Sequence, residues 1–373
     1  MSLVGNTQIA LSEEQAMLLD VAREFCRDKA PREVVRAQLE THRGYDPATW
    51  EALVELGWTG IALPESIGGS ALGPGSVVPV LEAMGRAMLG TPFLNTTLAG
   101  QLLSRAAPGM HDDVLAAIAA GAVATIAQLE DGDWGAAPAC HLDDDGLLVG
   151  RKRLVGDAHV AQHYLVVLTV DDAPALALVH RDHFDRGRVH DSELIDQTRR
   201  AATVDFTGVK PAALIVGPSV APALRDVALL GALYVAAEAA GSAAACLDTT
   251  VDYLKTRKQF GKLIGSYQAL KHPAVDILCA VDATRSFVYH GATLVGDEPL
   301  SRDAEIACRM AKAQATETLC HAGDRAVQFH GGMGFTYECD AQLYIRRAQW
   351  VQQQYGDAQH HRKRLAGLLL DAA

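Results

Sequence analysis

The stretch YLKTRKQFGK, residues 253–262, gathers four cationic side chains around a Gln-Phe-Gly at the end of an apolar segment. The preceding residues 227–247 are mostly Ala, Leu, Val and Gly, and Glu238 is their single charged residue. This composition predicts a buried helix that ends in an exposed tip. Basic residues near a helix C-terminus complement the helix dipole. That interpretation accounts for the positive charge and leaves the Gln-Phe-Gly unexplained.

The same apolar segment is long enough to cross a bilayer, for which a helix needs about 20 residues. Glu238 lies near its centre, where an acidic side chain costs on the order of 3 kcal/mol in hydrocarbon. The many alanines suit close packing between helices instead. The segment therefore predicts a buried helix within a helical layer, and no membrane span is expected.

The composition is that of an ordinary globular protein. Of the 373 residues, 49% are hydrophobic and 21% are charged. A chain of this length is expected to form two or three domains, or one elongated body of several layers. The formal net charge of -12 excludes a nucleic-acid partner, because proteins that bind the phosphate backbone present a large basic face.

The cysteines indicate the expected location of the protein. Seven are scattered along the chain without a C-x-x-C pair, which predicts neither a disulfide framework nor a zinc site. His330 and the pair His360 and His361 also lack the spacing of metal ligands, so no metal is expected. The first residues, MSLVGNTQIALSEEQ, lack the basic and apolar regions of a secretory signal. These features predict a cytoplasmic protein.

The chain divides into three regions that differ in composition and in predicted secondary structure. A capping box at Ser12 and Gln15 predicts the start of the first helix. Short runs rich in β-branched residues begin near residue 121 and end with ATVDFTGVKP (202–211), after which Ala-rich helical patterns resume. We therefore predict an α+β multidomain fold with three domains: an N-terminal helical domain (1–120), a central β domain (121–217) and a C-terminal helical domain (218–373).

Four local motifs, in order along the chain, resemble those of the acyl-CoA dehydrogenase family. They are LGWTGIALPESIGG (56–69), FTGVKP (206–211), RKQFGKLIGSYQALKH (257–272) and QFHGGMGFTYE (328–338). Together they cover nearly the whole chain at the family's spacing. The resemblance implies a central β-barrel-like domain, a C-terminal four-helix bundle, FAD as the cofactor and an acyl-CoA substrate that is oxidised at a CH-CH group.

The resemblance also offers an explanation for the cationic tip. In that family the R-x-QFG tip of one subunit lies across the flavin dinucleotide held by its neighbour. Arg257 can meet a pyrophosphate with a planar, charge-assisted fork, and Phe260 offers a face for stacking. The resemblance implies six contacts to a neighbouring FAD: Arg257, Gln259, Phe260, Gln328, Gly331 and Gly332.

The segments that family members use for their own flavin are altered. The family has a TEP-x-x-GSD loop and a W-I-[TS] strand, whereas residues 128–138 read QLEDGDWGAAP and residues 150–158 read GRKRLVGDA. Leu154 stands in the position of the tryptophan, and Gly156 stands in that of the hydroxyl residue. The resemblance therefore implies that this chain has lost contacts to a flavin of its own.

The general base of the family is absent from its expected positions. An ungapped count from GGMGF puts that glutamate at Tyr355, and the position that a minority of the family uses falls on Gly231. A base must lie within hydrogen-bond reach of the proton it removes, so we assign no catalytic residue. Asp357 and Glu238 remain as substitute bases. An Asp in a polar tail is, however, more often an ordinary exposed surface residue, and a buried Glu is more often paired with a polar neighbour.

The positions that would serve a neighbour's flavin are intact, whereas those that would serve this chain's own chemistry are degraded. We therefore expect a subunit that completes the FAD site of a different, catalytic chain in an α2β2 heterotetramer. Actinobacterial enzymes that act on steroid side-chain CoA esters are similar, and an electron-transfer acceptor would be a further partner. Two alternatives remain: a self-sufficient homotetrameric acyl-CoA dehydrogenase with a displaced carboxylate base, and a non-enzymatic scaffold of the same fold.

Overall fold

The computed structural model describes residues 11–132, 134, 136–296 and 298–370. The first ten residues, which entered the prediction of location, lie outside this part. The capping box is confirmed, because Ser12 Oγ accepts from the Gln15 amide at 3.1 Å and Gln15 Oε1 accepts from the Ser12 amide at 3.3 Å. The first helix therefore begins where its sequence signal predicts.

Six helices precede the first strand in the described chain. They are α1 (Glu13–Lys29), α2 (Arg32–Gln38), α3 (Pro47–Glu55), α4 (Val77–Ala87), α5 (Phe93–Ala106) and α6 (Asp112–Ala119). Almost every residue of α4 and α5 is buried, because α4 packs against α1 and a C-terminal helix, and α5 packs against that same helix, α6 and the first strand. These two helices form the inner layer of the N-terminal region.

In the described residues between 124 and 215, nine strands follow. They are β1 (Ala124–Ala127), β2 (His141–Leu142), β3 (Leu148–Val149), β4 (Arg151–Gly156), β5 (His163–Val170), β6 (Ala173–His180), β7 (Val189–Ser192), β8 (Ala201–Asp205) and β9 (Ala213–Ile215). One sheet has the order β1-β5-β6-β9, with β1 and β5 parallel, and a second has the order β4-β8-β7. Strands β2 and β3 form a separate pair.

The sheets of the β region are open, whereas the resemblance implied a barrel-like domain. Closing a barrel requires the edge strands of a sheet to pair with each other, but β1 and β9 are both edges of the four-stranded sheet. The second sheet contains an irregularity, because the register of β4 against β8 shifts between Lys152 and Val155. Among the described residues the strands therefore form packed open sheets and no closed barrel.

The C-terminal region contains five helices where a four-helix bundle was predicted. They are α7 (Val220–Thr256), α8 (Gln268–Leu294), α9 (Arg302–His330), α10 (Ala341–Gln353) and α11 (Ala358–Leu370). A short hairpin, β10 (Lys258–Gln259) and β11 (Lys262–Leu263), joins α7 to α8. Helices α7, α8 and α9 pack side by side, and α10 and α11 lie against α9.

Helix α7 is the central helix of the molecule. By length and composition it is able to cross a membrane, but 94% of its apolar window is buried inside the fold. Its small residues allow close packing: a Cβ atom added at Gly241 would collide with the Glu82 carbonyl of α4, and one added at Gly85 of α4 would collide with the Glu238 carbonyl. The prediction of a buried helix is confirmed.

Candidate functional site

The cationic tip is an exposed β-hairpin with a two-residue turn. Arg257 ends α7 with an extended backbone, and Gln259 pairs with Lys262 across the turn. The two turn residues, Phe260 and Gly261, have φ values of 51° and 78°. Turns of type I′ need positive φ at both positions, and a bulky side chain pays steric strain there. Phe260 is nevertheless 91% exposed, so the turn leaves its aromatic face uncovered.

Hydrogen bonds hold the backbone of the hairpin, while the side chains of Arg257 and Phe260 are exposed. The Ile264 amide donates to the Arg257 carbonyl at 2.9 Å, and the Tyr267 hydroxyl donates to the Gln259 carbonyl at 3.3 Å. Lys262 Nζ lies 4.2 Å from the centre of the Tyr267 ring. The Arg257 guanidinium is exposed and has no carboxylate within 4.0 Å in the described part of the chain. It is therefore available to an external anion.

The second predicted segment lies beside the first. Helix α9 ends at His330, whose ring stacks on Tyr253 of α7 with centres 4.3 Å apart. Next to this stack, Leu254, Ile264 and Phe329 form a small apolar cluster that ties the end of α9 to the hairpin. The structure thus brings the two predicted FAD segments together.

We call the surface made by residues 257–262 and 328–337 the outer face. Gln328, Gly331 and Gly332 are exposed there, and a Cβ atom added at either glycine would meet nothing within 4 Å. Phe335 and Tyr337 are exposed by 72% and 59%. The backbone at the two glycines is therefore open to close approach by another molecule, and several aromatic rings surround it.

The crevice between the β region and α7 is occupied by the chain's own side chains. Leu154 adopts a φ of 50° at the irregularity in β4. A Cβ atom added at Gly156 would collide with the side-chain amide of Asn95, whose Nδ2 donates to Asp157 at 2.7 Å. Burial raises the pKa of that Asp157 carboxyl to about 6, with the hydrogen bond from Asn95 opposing the rise. In this arrangement the Asn95 amide occupies the space beside position 156 in which a side chain would lie.

Residues 355 and 231, the two positions expected for the general base, are in contact. The Tyr355 ring lies against Gly231, such that a Cβ atom added at Gly231 would stand 2.5 Å from ring carbons Cε1 and Cζ. Tyr355 has a φ of 54° and is followed by Gly356 at 94°. Burial raises the pKa of the Tyr355 phenol above its ordinary value, so it stays neutral at pH 7. A neutral phenol therefore fills the space in which a carboxylate was expected.

Trp134 fills a further part of the crevice between the β region and α7. Its ring lies 4.8 Å from that of Tyr355, and its Nε1 donates to the Gln353 carbonyl at 2.8 Å. Trp134, Leu154 and Tyr355 line two small clefts with volumes of about 80 and 40 Å³. Pockets for cofactors and drug-sized ligands usually have volumes of about 300–1,000 Å³. The crevice has no room for a ligand of that size in this arrangement.

The contact between Tyr355 and Gly231 predicts a reversal of sign in a pair of variants. Gly231→Ala should lower the free energy of unfolding by about 1–3 kcal/mol, because the new methyl overlaps the ring. In a Tyr355→Ala background the same change should raise it by up to about 1 kcal/mol, since alanine is the better helix former. A double-mutant cycle of urea unfolding measures both. Equal effects of Gly231→Ala in the two backgrounds would contradict the contact.

Both substitute acids make structural contacts within the fold. Glu238 is 1% exposed and forms an ion pair with Arg199, whose guanidinium lies 5.0 Å from the Trp350 ring centre. Asp357 Oδ1 accepts from the His360 amide at 2.7 Å and so caps the N-terminus of α11. The predicted pairing of Glu238 is confirmed, and Asp357 has a structural role that accounts for it.

Lys312, on α9, was not singled out from the sequence. It is fully buried, and its Nζ donates to the carbonyls of Val351 at 3.0 Å and Gly356 at 2.8 Å. Burial lowers the pKa of the amine to about 7, against an opposing effect of the Asp357 charge. Lys312 thereby fixes the loop that carries Tyr355. The only signal in the sequence is a lysine among the alanines of an amphipathic helix.

Other parts of the site were also missed by the sequence reasoning. Trp134 lies in the altered 128–138 loop, where a rare tryptophan was the available signal, and Asn95 lies in α5 far from any motif. No group of three or more His, Cys, Asp or Glu side chains suited to a metal ion occurs in the described ranges.

Known proteins match the chain along most of its length. Residues 12–122 match the model of the acyl-CoA dehydrogenase N-terminal domain, and residues 228–370 match that of the acyl-CoA dehydrogenase C-terminal domain. Acyl-CoA dehydrogenase IpdE2 of Mycolicibacterium smegmatis is 30% identical over 356 residues, which cover 95% of this chain and 98% of that protein.

Solved structures agree with this match. A variant of the Tcur3481-Tcur3483 steroid ACAD superposes with a TM-score of 0.84 at 29% identity and covers 96% of this chain and 98% of that one. The ChsE4-ChsE5 complex from Mycobacterium tuberculosis gives a TM-score of 0.85 at 25% identity, with 98% and 100% covered. With both domain models and a relative of nearly equal length in agreement, the chain belongs to the acyl-CoA dehydrogenase family.

Proposed function

We propose that this chain is the non-catalytic subunit of a heteromeric acyl-CoA dehydrogenase and that its outer face completes the FAD site of a catalytic partner chain. FAD is the cofactor of this family. The observation that carries the proposal is the contact of Tyr355 with Gly231. It closes this chain's own crevice at both expected base positions, while the outer face stays exposed and intact.

The outer face fits one part of FAD, and the inner crevice does not fit the rest. Arg257 would hold the pyrophosphate through its planar fork, and Phe260 would stack on a ring. The open backbone at Gly331 and Gly332, with Gln328 beside it, would receive the adenosine half. In the crevice, Asn95 occupies the place of a hydroxyl contact, and Trp134 and Tyr355 leave clefts of only about 80 and 40 Å³.

The share of this chain in the reaction is therefore binding and orientation. The reaction is the α,β-dehydrogenation of an acyl-CoA thioester, and the chemistry that bound FAD supplies is the acceptance of a hydride from Cβ. The proton at Cα would be removed by a glutamate of the partner chain, because this chain offers a neutral phenol at one base position and a glycine at the other. The tip of this chain keeps water from the outer side of the cofactor and fixes its position.

The relatives favour a particular kind of assembly and substrate. Two of the solved neighbours are two-protein complexes, and one of these is a steroid ACAD. We extend this to an α2β2 heterotetramer that acts on a steroid side-chain CoA ester and passes electrons to a separate acceptor. The seven cysteines are free thiols, in keeping with a reducing cytoplasm as the proposed compartment.

The test is the visible spectrum of the chain purified alone, with flavin counted after denaturation. We expect a nearly colourless chain that gains flavin and acyl-CoA dehydrogenase activity only when it is co-expressed with a homologue encoded next to it. A yellow chain with one flavin per subunit, bleached by an acyl-CoA, would instead establish the self-sufficient enzyme. A complex that forms without flavin or activity would establish the scaffold.

Asp357→Asn separates the proposal from the self-sufficient alternative. Asparagine caps a helix about as well as aspartate, so the α11 cap survives while a carboxylate base does not. We expect the steady-state activity of the co-expressed complex to change by less than about twofold, because the cost of this change to the cap is only a few tenths of a kcal/mol. A loss of activity by orders of magnitude, without a loss of flavin, would identify Asp357 as the base.

A further inference from the structure

A large cleft lies apart from both the outer face and the Tyr355 crevice. Its volume is about 970 Å³, at the upper end of the range of about 300–1,000 Å³ for small-molecule sites. It opens between the segment that leads into α3 and one end of the four-stranded sheet, where β1 and β5 begin and β6 ends. None of the predicted FAD contacts lines it.

The cleft is cationic in a chain whose net charge is -12. Three arginines line it, Arg43, Arg181 and Arg186, and none has a carboxylate within 4.0 Å in the described part of the protein. Asp191 is the single carboxylate among the lining residues, and it lies 3.3 Å from His42 Nε2. Arginines that line a concavity without a carboxylate partner form an electrostatic site for anions.

The walls of the cleft are fixed by hydrogen bonds. The Gln162 amide donates to the Val123 carbonyl at 2.8 Å, and Gln162 Oε1 accepts from the Val123 amide at 2.6 Å. Trp50 Nε1 donates to the Gly121 carbonyl at 3.1 Å, which joins α3 to the sheet. The Arg181 amide donates to the Gln162 carbonyl at 2.8 Å. The cleft is therefore preformed, and little order has to be gained when a ligand binds.

Two polar groups in the wall lack hydrogen-bond partners. They are Nε2 of His159 and one terminal guanidinium nitrogen, Nη1, of Arg181, whose guanidinium lies 4.7 Å from the Phe184 ring centre. Burial and the neighbouring His42 lower the pKa of His159 to about 4, although Asp191 opposes this, so its ring is neutral at pH 7. Buried polar groups without partners are rare in native proteins. Arg181 lines the cationic cleft, where a bound anion would offer acceptors to its guanidinium.

We propose that this cleft binds a small phosphate-bearing anion with two or more phosphate groups. Guanidinium forks match phosphate oxygens in a bidentate manner, and three of them suit a polyanion better than a single carboxylate. Trp50 and Tyr45 form an apolar wall that leaves room for an organic group attached to the phosphates. The site is independent of the FAD site and of the proposed half-site function.

Isothermal titration calorimetry of the full chain with inorganic pyrophosphate tests this site. We expect saturable binding, and Arg181→Gln combined with Arg186→Gln should weaken it at least about 10-fold, since each removes charge-assisted hydrogen bonds. Lys363→Gln combined with Arg364→Gln is the matched control, because it likewise removes two positive charges, here from the exposed face of α11. The control should change the affinity by less than twofold.

Three outcomes would overturn the proposal. One is the absence of measurable heat with pyrophosphate at millimolar concentration. Another is equal weakening by the control, which would reduce the effect to net charge. The third is equal binding of citrate, which would remove the specificity for phosphate. The melting temperature of each variant, measured without ligand, shows whether the cleft remains folded, and Arg43→Gln provides an exposed single change if the double variant is unstable.

Discussion

Replacing Arg257 with alanine should weaken the binding of FAD to the co-expressed complex by about 10- to 100-fold, because charge-assisted hydrogen bonds contribute about 1.5–3 kcal/mol. The side chain is exposed and forms no ion pair within its own described chain, so its removal leaves nothing unpaired. The melting temperature of the isolated chain should therefore stay unchanged. Flavin per complex after gel filtration, and titration of the flavin-free complex with FAD, measure the effect.

Two further variants test whether the expected loss of FAD binding comes from the guanidinium fork of Arg257 or only from a positive charge at this end of α7. Lys255→Ala removes a charge from the same end of α7, but Lys255 lies 3.9 Å from Asp252 and precedes the hairpin, so its effect on FAD should be less than about twofold, in line with an exposed pair. Arg257→Lys keeps the charge and loses the planar fork, and it should bind FAD with intermediate affinity. If all three variants retained as much flavin as the wild-type complex, the outer face would not contact the cofactor.

Local signals predicted much of this fold because they act over a few residues. The capping box at Ser12 and Gln15 is confirmed in detail, and the composition around Glu238 predicted a buried helix correctly. The exposed tip follows from the same reasoning, since charged residues around a glycine do not belong in a core. Its strain at Phe260 did not follow, because nothing in the sequence requires positive φ at a phenylalanine.

Contacts between distant segments were beyond the reach of the sequence. The resemblance showed that a hydroxyl is absent at Gly156 and an acid at Tyr355, but it gave no indication that Asn95 fills the first place and that Tyr355 packs on Gly231. These pairs are brought together only by the packing of the β region on α5 and α7. The open sheets depend in the same way on which strands become edges.

The cationic cleft had no signature in the sequence either. Its lining comes from four separate segments, 42–50, 121–123, 159–162 and 181–191, and none of them carries a motif. Each arginine alone resembles an ordinary surface residue. Only the arrangement of α3 against the end of the sheet brings the arginines to one cleft.

Arg347→Ala should cause the largest loss of stability, about 3–5 kcal/mol, because removal of one partner leaves a buried charge uncompensated. Arg347 is fully buried in α10 and donates to Asp196, which also accepts from the Thr198 amide at 3.0 Å. The adjoining pair of Arg199 with Glu238 connects the same loop to α7. The loop before β8 is thus joined to both α10 and α7 by buried ion pairs.

The pH dependence gives this prediction a second readout. Burial alone would raise the pKa of Asp196, but the charges of Arg347 and Arg199 outweigh it and lower the pKa. A lowered pKa stabilises the fold above the ordinary carboxyl value of about 3.9, and this contribution is lost as the pH falls through the folded-state pKa. In Arg347→Ala the carboxyl loses the larger of these two charge interactions and is easier to protonate. The stability difference from wild type should therefore be largest near pH 7 and shrink towards about pH 4.

Arg153→Ala is the matched control for this effect. Arg153 pairs with Asp131 at 2.7 Å, but the two side chains are 57% and 91% exposed, so its loss should cost less than about 1 kcal/mol at any pH. Urea unfolding of the three proteins between pH 4 and pH 8 measures all of these differences. If Arg347→Ala were as mild as the control, or if its cost were the same at every pH, Asp196 would not depend on Arg347 for its charge. The loop before β8 would then be held to the C-terminal helices by the Arg199–Glu238 pair and by apolar packing, without a contribution from Arg347.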